Sequence, residues 1–164
     1  MSAKRNMGWG RTARNIAVPL GAVVLVSLLA QGATFPNLPW HAGLTKPSFN
    51  PPNWLFGPVW TTLYGLMVLA AFRILRLAPS PERRTALILF AAQLALNAAW
   101  SWMFFAAQSP LLGLINIVPQ FVLVVAATMA FLRLDRIAGY CLLPLAAWVG
   151  FASVLNAAIW WLNR

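Results

Sequence analysis

The chain has 164 residues, of which 61% are hydrophobic and only 9% charged. That balance excludes a water-soluble domain of this size, whose surface needs more polar cover. Twelve Lys and Arg against two Asp and Glu give a net charge of +10, but the basic residues stand in short clusters between apolar runs, which is the pattern of membrane orientation and not of nucleic-acid binding.

A basic start with Lys4, Arg5, Arg11 and Arg14 leads into an apolar run at 16–34. The run is too long for a signal-peptide core and long enough to cross about 30 Å of hydrocarbon, so it reads as an uncleaved first span. Residues 35–53 form a loop rich in Pro and aromatics. From Trp40 on, its first part is expected to be non-helical, because Pro51-Pro52 removes two donors and restricts the residues before them. It has two readings: a lid over a cavity, or an interfacial loop anchored at the headgroups.

Span two covers 54–72, with Pro58 early enough to be tolerated. A basic turn with Pro79 and Pro81 leads to span three at 85–107. Here Ala91, Ala95 and Ala98 form a small-residue stripe suited to close helix contact, the expected dimer interface. Gln93, Asn97 and Trp100 lie roughly opposite. Span four covers 111–132 and carries Asn116 and Gln120. Asp135 stands between Arg133 and Arg136 in a short turn, where a local ion pair is expected. Span five covers 137–162, with Trp148, Ala152 and Asn156 rising four apart. Trp9, Trp160 and Trp161 read as interfacial belt residues. The expected fold is therefore an all-α integral membrane protein, a five-transmembrane-helix bundle in one domain over 1–164.

Ten basic residues fall before span one, between spans two and three, or between spans four and five. Only Lys46 and Arg164 fall on the other side. The positive-inside rule then places the N-terminus inside and the C-terminus outside. The helical composition favours the inner, cytoplasmic membrane over the outer one, where barrels prevail.

Little in the chain suits acid–base or metal chemistry. There is one His, one Cys and two acids, with no phosphate loop, no carboxylate pair and no HExxH, so no catalytic residue and no metal site is assigned. His41 reads as an interfacial residue or as an axial haem ligand. The amides Asn97, Asn116, Gln120 and Asn156 face protein or a cavity, since hydrocarbon offers them no partner. Nine Trp residues supply flat apolar surface with one polar handle each. Trp54, Trp60, Trp100 and Trp148 stand beside the unusual loop or the amides. Such rings around a cavity suit a large planar hydrophobic ligand.

The run W-H-A-G-L-T-K-P-S-F-N-P-P-N-W-L-F-G-P-V-W-T-T-L-Y (40–64) resembles the first loop and second helix of the tryptophan-rich sensory protein family. This TspO group includes the mitochondrial translocator protein, or peripheral benzodiazepine receptor. Q-L-A-L-N-A-A-W-S-W-M-F-F (93–105) resembles its third helix, and P-L-A-A-W-V-G-F-A-S-V-L-N (144–156) its fifth. The resemblance implies a five-helix, usually dimeric bundle with the first loop over a ligand cavity. It implies porphyrins, haem and other hydrophobic small molecules as ligands, with no obligatory cofactor.

By the same resemblance Trp54 and Trp148 match the family's cavity tryptophans, with Trp100, Asn97, Trp40 and Ala152 nearby. Lys46 and His41 stand ready to meet propionates at the loop. Leu145 stands where the family's signature has Tyr. The aromatic-plus-basic sterol segment of the animal members is missing, which counts against cholesterol. The expected function is a membrane receptor, sensor or translocator for these ligands, linked to tetrapyrrole stress or metabolism. The alternative is light- and oxygen-dependent porphyrin degradation.

Overall fold

The structure, a computed structural model, describes residues 9–164. Lys4 and Arg5, counted above for orientation, and the side chain of Trp9 lie outside the described residues. The helices are α1 (Trp9–Thr34), the short α2 (Leu38–Ala42), α3 (Asn53–Leu75), α4 (Pro81–Ser101), α5 (Pro110–Leu134) and α6 (Arg136–Leu162). A 3₁₀ turn, Phe35–Asn37, links α1 to α2, and a π-helical turn, Trp102–Ala106, prolongs α4. Five helical segments are long and apolar enough to cross a membrane.

Three helix starts follow from capping chemistry. Ser80 accepts a hydrogen bond from the Arg83 N–H, Ser109 from that of Leu112 and Asp135 from that of Ala138. Each cap satisfies an N–H that the first turn leaves without an intrahelical partner, and so anchors its helix end. The Ser80 cap, with Pro81 in the first turn, starts α4 four residues before the expected 85. The α5–α6 turn shrinks to Asp135 alone.

The loop departs from expectation in its first half, where α2 takes in Trp40 to Ala42. Pro36 and Pro39 each lie in the first turn of their helical segment, where a missing N–H costs nothing. The restriction from Pro51-Pro52 acts only on the residue before each ring, Asn50 and Pro51, neither of which is helical.

Around the bundle α1 packs on α3, α3 on α6, α6 on α5, α5 on α4, and α4 back on α1. Lipid tails are as apolar as Leu, so helices cohere by close packing and by interior hydrogen bonds. Gly139 shows the packing: a Cβ there would overlap the Leu132 side chain and lie 2.7 Å from its Cα. Phe90 stacks on Phe131 at 5.6 Å.

The interior is not purely apolar. Gln93, Asn97, Ser101, Asn116, Gln120, Thr128 and Asn156 are all buried, as expected for amides in hydrocarbon. Tyr64 Oη donates to Asn97 Oδ1 at 3.1 Å, and Trp100 Nε1 donates to Asn156 Oδ1 at 3.0 Å. Among the described residues Gln93 Oε1 and Asn116 Oδ1 have no hydrogen-bond partner.

At the Arg73 end of the bundle Asp135 does not pair locally. Its carboxylate receives Arg73 Nε at 3.0 Å and Nη2 at 2.9 Å, joining α3 to the α5–α6 turn. The expected ion pair with Arg133 or Arg136 is thus corrected. As N-cap of α6, Asp135 also accepts from the Ala138 N–H, and the carboxylate reaches Arg73 on α3. Burial pushes its pKa up, but the hydrogen bonds from Arg73 and the Ala138 N–H, with the Arg73 charge, outweigh that and hold it below the usual range.

Candidate functional site

The loop end of the bundle is an aromatic assembly fastened by amides. Asn163, just past α6, accepts from the Thr45 N–H and donates to the Thr45 carbonyl, both at 2.9 Å. Gln108 Nε2 donates to Asn37 Oδ1 at 3.2 Å, tying the α4–α5 turn to the loop. Lower down, Phe49 packs edge-on against Phe151 of α6. The loop is therefore pinned at three places.

Beside it α3 and α6 run antiparallel, with Phe56 edge-on to Trp148 at 5.7 Å and Arg73 meeting Asp135 at the far end. Between these helices lies a groove of about 690 Å³. Pro51, Leu55, Pro58, Val59, Thr62 and Leu63 line it from the loop and α3, and Pro144, Ala147, Trp148 and Phe151 from α6. Pro58 and Pro144 sit inside their helices, and Pro58, Thr62, Pro144 and Ala147 are exposed on the outer surface of the bundle. The groove thus opens toward the surrounding hydrocarbon. Its polar side-chain atoms are few. Thr62 donates its hydroxyl to the Pro58 carbonyl at 2.9 Å, which leaves the Trp148 indole N–H. Such a lining suits a flat apolar body and contains no acid, base or metal ligand.

Of the expected ligand-binding residues, Trp148 alone lines this groove. Trp54 is separate, 72% exposed on α3. Ala152 packs on the interior cluster one turn beyond Trp148. Asn97 and Trp100 belong to the interior: Asn97 holds Tyr64, and the Trp100 ring stacks on Phe104 at 4.9 Å while its N–H is spent on Asn156. Trp40 and His41 pack on Phe104 from α2, with His41 also against Phe105. Lys46 Nζ donates to the carbonyls of His41, Ala42 and Leu44, closing the end of α2. The single lining expected from Trp54 and Trp148 together is not what the structure forms. Helix α3 begins one residue before Trp54, and its rotation turns that indole outward while Phe56 faces Trp148.

The groove residues that the sequence reading passed over are mainly Leu55, Phe151 and the two helix prolines, with Phe56 bracing Trp148 from outside the lining. Their signal was present: Pro58 and Pro144 interrupt apolar helices, and Phe151 follows Trp148 by three positions on one face. On α4, Ala91 and Ala95 are exposed and Ala98 is partly covered by the core. A second cavity of about 300 Å³ at the opposite end is lined by Arg73, Arg76, Leu77 and Asp135. The ion pair within it already satisfies both charges.

Comparison with known proteins places the sequence in a family. Residues 15–162 match the TspO/MBR family model. The chain is 43% identical to the "Tryptophan-rich protein TspO" of Chlorobaculum tepidum, over 80% of this chain and 86% of that one. It is 39% identical to the "Tryptophan-rich sensory protein" of Cereibacter sphaeroides, over 71% and 72% of the two chains. With the human "Translocator protein" it shares 37% identity over 76% of this chain and 75% of the other.

Proposed function

The chain belongs to the TspO/MBR family, and on that premise we propose that it is a membrane sensor or translocator taking porphyrins and other flat hydrophobic molecules in the α3–α6 groove. The observation that carries this reading is the groove itself, about 690 Å³ with an apolar lining and the Trp148 indole in its wall. That volume lies within the range of small-molecule sites. Phe56 and Phe151 brace Trp148 at 5.7 Å each, so its ring is presented by neighbours that do not need to move. A planar ligand arriving from the bilayer slides against the indole without crossing water.

Three further statements belong to the same reading. The N-terminus lies inside and the C-terminus outside an inner membrane, on the distribution of basic residues. Two protomers associate through the Ala91, Ala95 and Ala98 face of α4, whose small side chains allow close approach. Binding and release is the proposed activity; light- and oxygen-dependent degradation, which needs a tryptophan beside the porphyrin and no general acid or base, is the alternative that the test below separates from it.

The test is a porphyrin titration of the detergent-solubilised protein and of Trp148→Ala in the dark, following tryptophan quenching. Loss of one stacked indole, about 0.5–1.5 kcal/mol beyond area burial, weakens binding by up to roughly tenfold. Unchanged affinity in a folded variant removes the groove as the site. A new tetrapyrrole product under light and oxygen, absent with free porphyrin alone, replaces binding by degradation.

A further inference from the structure

Resting on that reading, we infer that the groove selects the iron-free tetrapyrrole and offers haem iron no coordinating side chain. Proteins hold haem iron through His, Cys, Met or Tyr. None of these residue types lines the groove, which is built from Pro, Leu, Val, Thr, Ala, Trp and Phe.

Among the described residues the possible ligands are elsewhere or already engaged. His41 sits on α2 against Phe104 and Phe105. Met67 is 1% exposed, and its sulfur accepts from Gln93 Nε2. Tyr64 spends its hydroxyl on Asn97. Cys141 lies one turn before Pro144 on α6 and is not part of the lining, nor are Tyr140, Met103 and Met129.

The remaining polar handle in the groove, the Trp148 N–H, is a donor only. It serves an acceptor at the ligand's edge and cannot bind a metal. Ferric iron adds charge to the ring, and an apolar groove without a compensating ligand disfavours that charge. The iron-free ring, neutral at its centre, meets no such penalty.

The experiment titrates the full-length protein in detergent with iron-free protoporphyrin and, separately, with its ferric form. It reads tryptophan quenching and the main absorption band of each tetrapyrrole. The expected result is that the iron-free form binds more tightly than the ferric form. The ferric spectrum then matches that in empty micelles, with no low-spin shift, in wild type, His41→Ala and Cys141→Ala alike. A ligated ferric spectrum in wild type overturns the inference, and its loss in His41→Ala or Cys141→Ala identifies the ligand. Ferric binding as tight as, or tighter than, iron-free binding also overturns it. If the iron-free form itself does not bind, the groove reading fails first and this inference falls with it, an outcome distinct from the other two.

Discussion

Trp100 and Asn156 join α4 to α6 through an indole N–H donated to the Asn156 carbonyl oxygen at 3.0 Å. Asn156 in turn donates to the Pro110 carbonyl at 2.8 Å, so one amide locks the first turn of α5 as well. Gly113 makes the arrangement possible, because a Cβ there would stand 2.7 Å from Phe104 Cδ2 and 2.8 Å from Asn156 Oδ1. Replacing Asn156 by Leu strands a donor and a carbonyl in a dry interior, at a cost of about 1–3 kcal/mol. Gly113→Ala forces the same knot apart by crowding, at a similar cost of about 1–3 kcal/mol. Thermal unfolding in detergent reads both as lowered midpoints, and an unchanged midpoint in Asn156→Leu refutes the role given to this bond.

The Arg73–Asp135 pair makes stability depend on acid. The Asp135 pKa is depressed in the folded protein, so its contribution is present above the ordinary carboxylate range. It is lost as pH falls through the lowered folded value. Asp135→Asn keeps an N-cap for α6 but removes the charge. Its unfolding midpoint is expected to fall at neutral pH and to vary less than wild type below about pH 4. Parallel pH profiles for the two proteins check this.

The groove predicts opposite outcomes for two tryptophans and one alanine. Trp54→Ala leaves porphyrin affinity unchanged, because that indole is outside the lining. Ala147→Phe fills the groove from an exposed position, abolishing binding with little loss of stability. A titration in which Trp54→Ala weakens binding as much as Trp148→Ala moves the ligand toward the loop end.

The loop is held to α6 by the two-way Asn163–Thr45 bond. Asn163→Ala removes both contacts, each worth about 0.5–1.5 kcal/mol net. Hydrogen exchange at the Thr45 amide is expected to accelerate by roughly tenfold or more while helical content stays constant. Unaltered exchange shows that the aromatic contacts alone keep the loop in place.

For association, Ala95→Leu places a bulky side chain on the small-residue face of α4. Mass measurement in detergent at low protein concentration is expected to show a shift from dimer to monomer. A dimer that persists unchanged rules out this face.

Much of the architecture was legible before any coordinates, and the reason is the solvent. Hydrocarbon of fixed thickness demands helices of about 20 residues, so apolar length alone marked five spans. Interior amides were legible too, since Asn97, Asn116, Gln120 and Asn156 have nowhere else to go in lipid. Local capping was also present in the letters: Ser80-Pro81 and Ser109-Pro110 mark helix starts. Tertiary structure decided what depends on the rotation and register of one helix against another. In apolar helices the pattern that reports rotation in soluble proteins is nearly flat. Trp54 and Trp148 therefore looked alike in the sequence, although one faces outward and the other walls a groove, braced by Phe56. Asp135 likewise had two near neighbours of opposite charge, but the α3–α6 register brought it Arg73, 62 residues away.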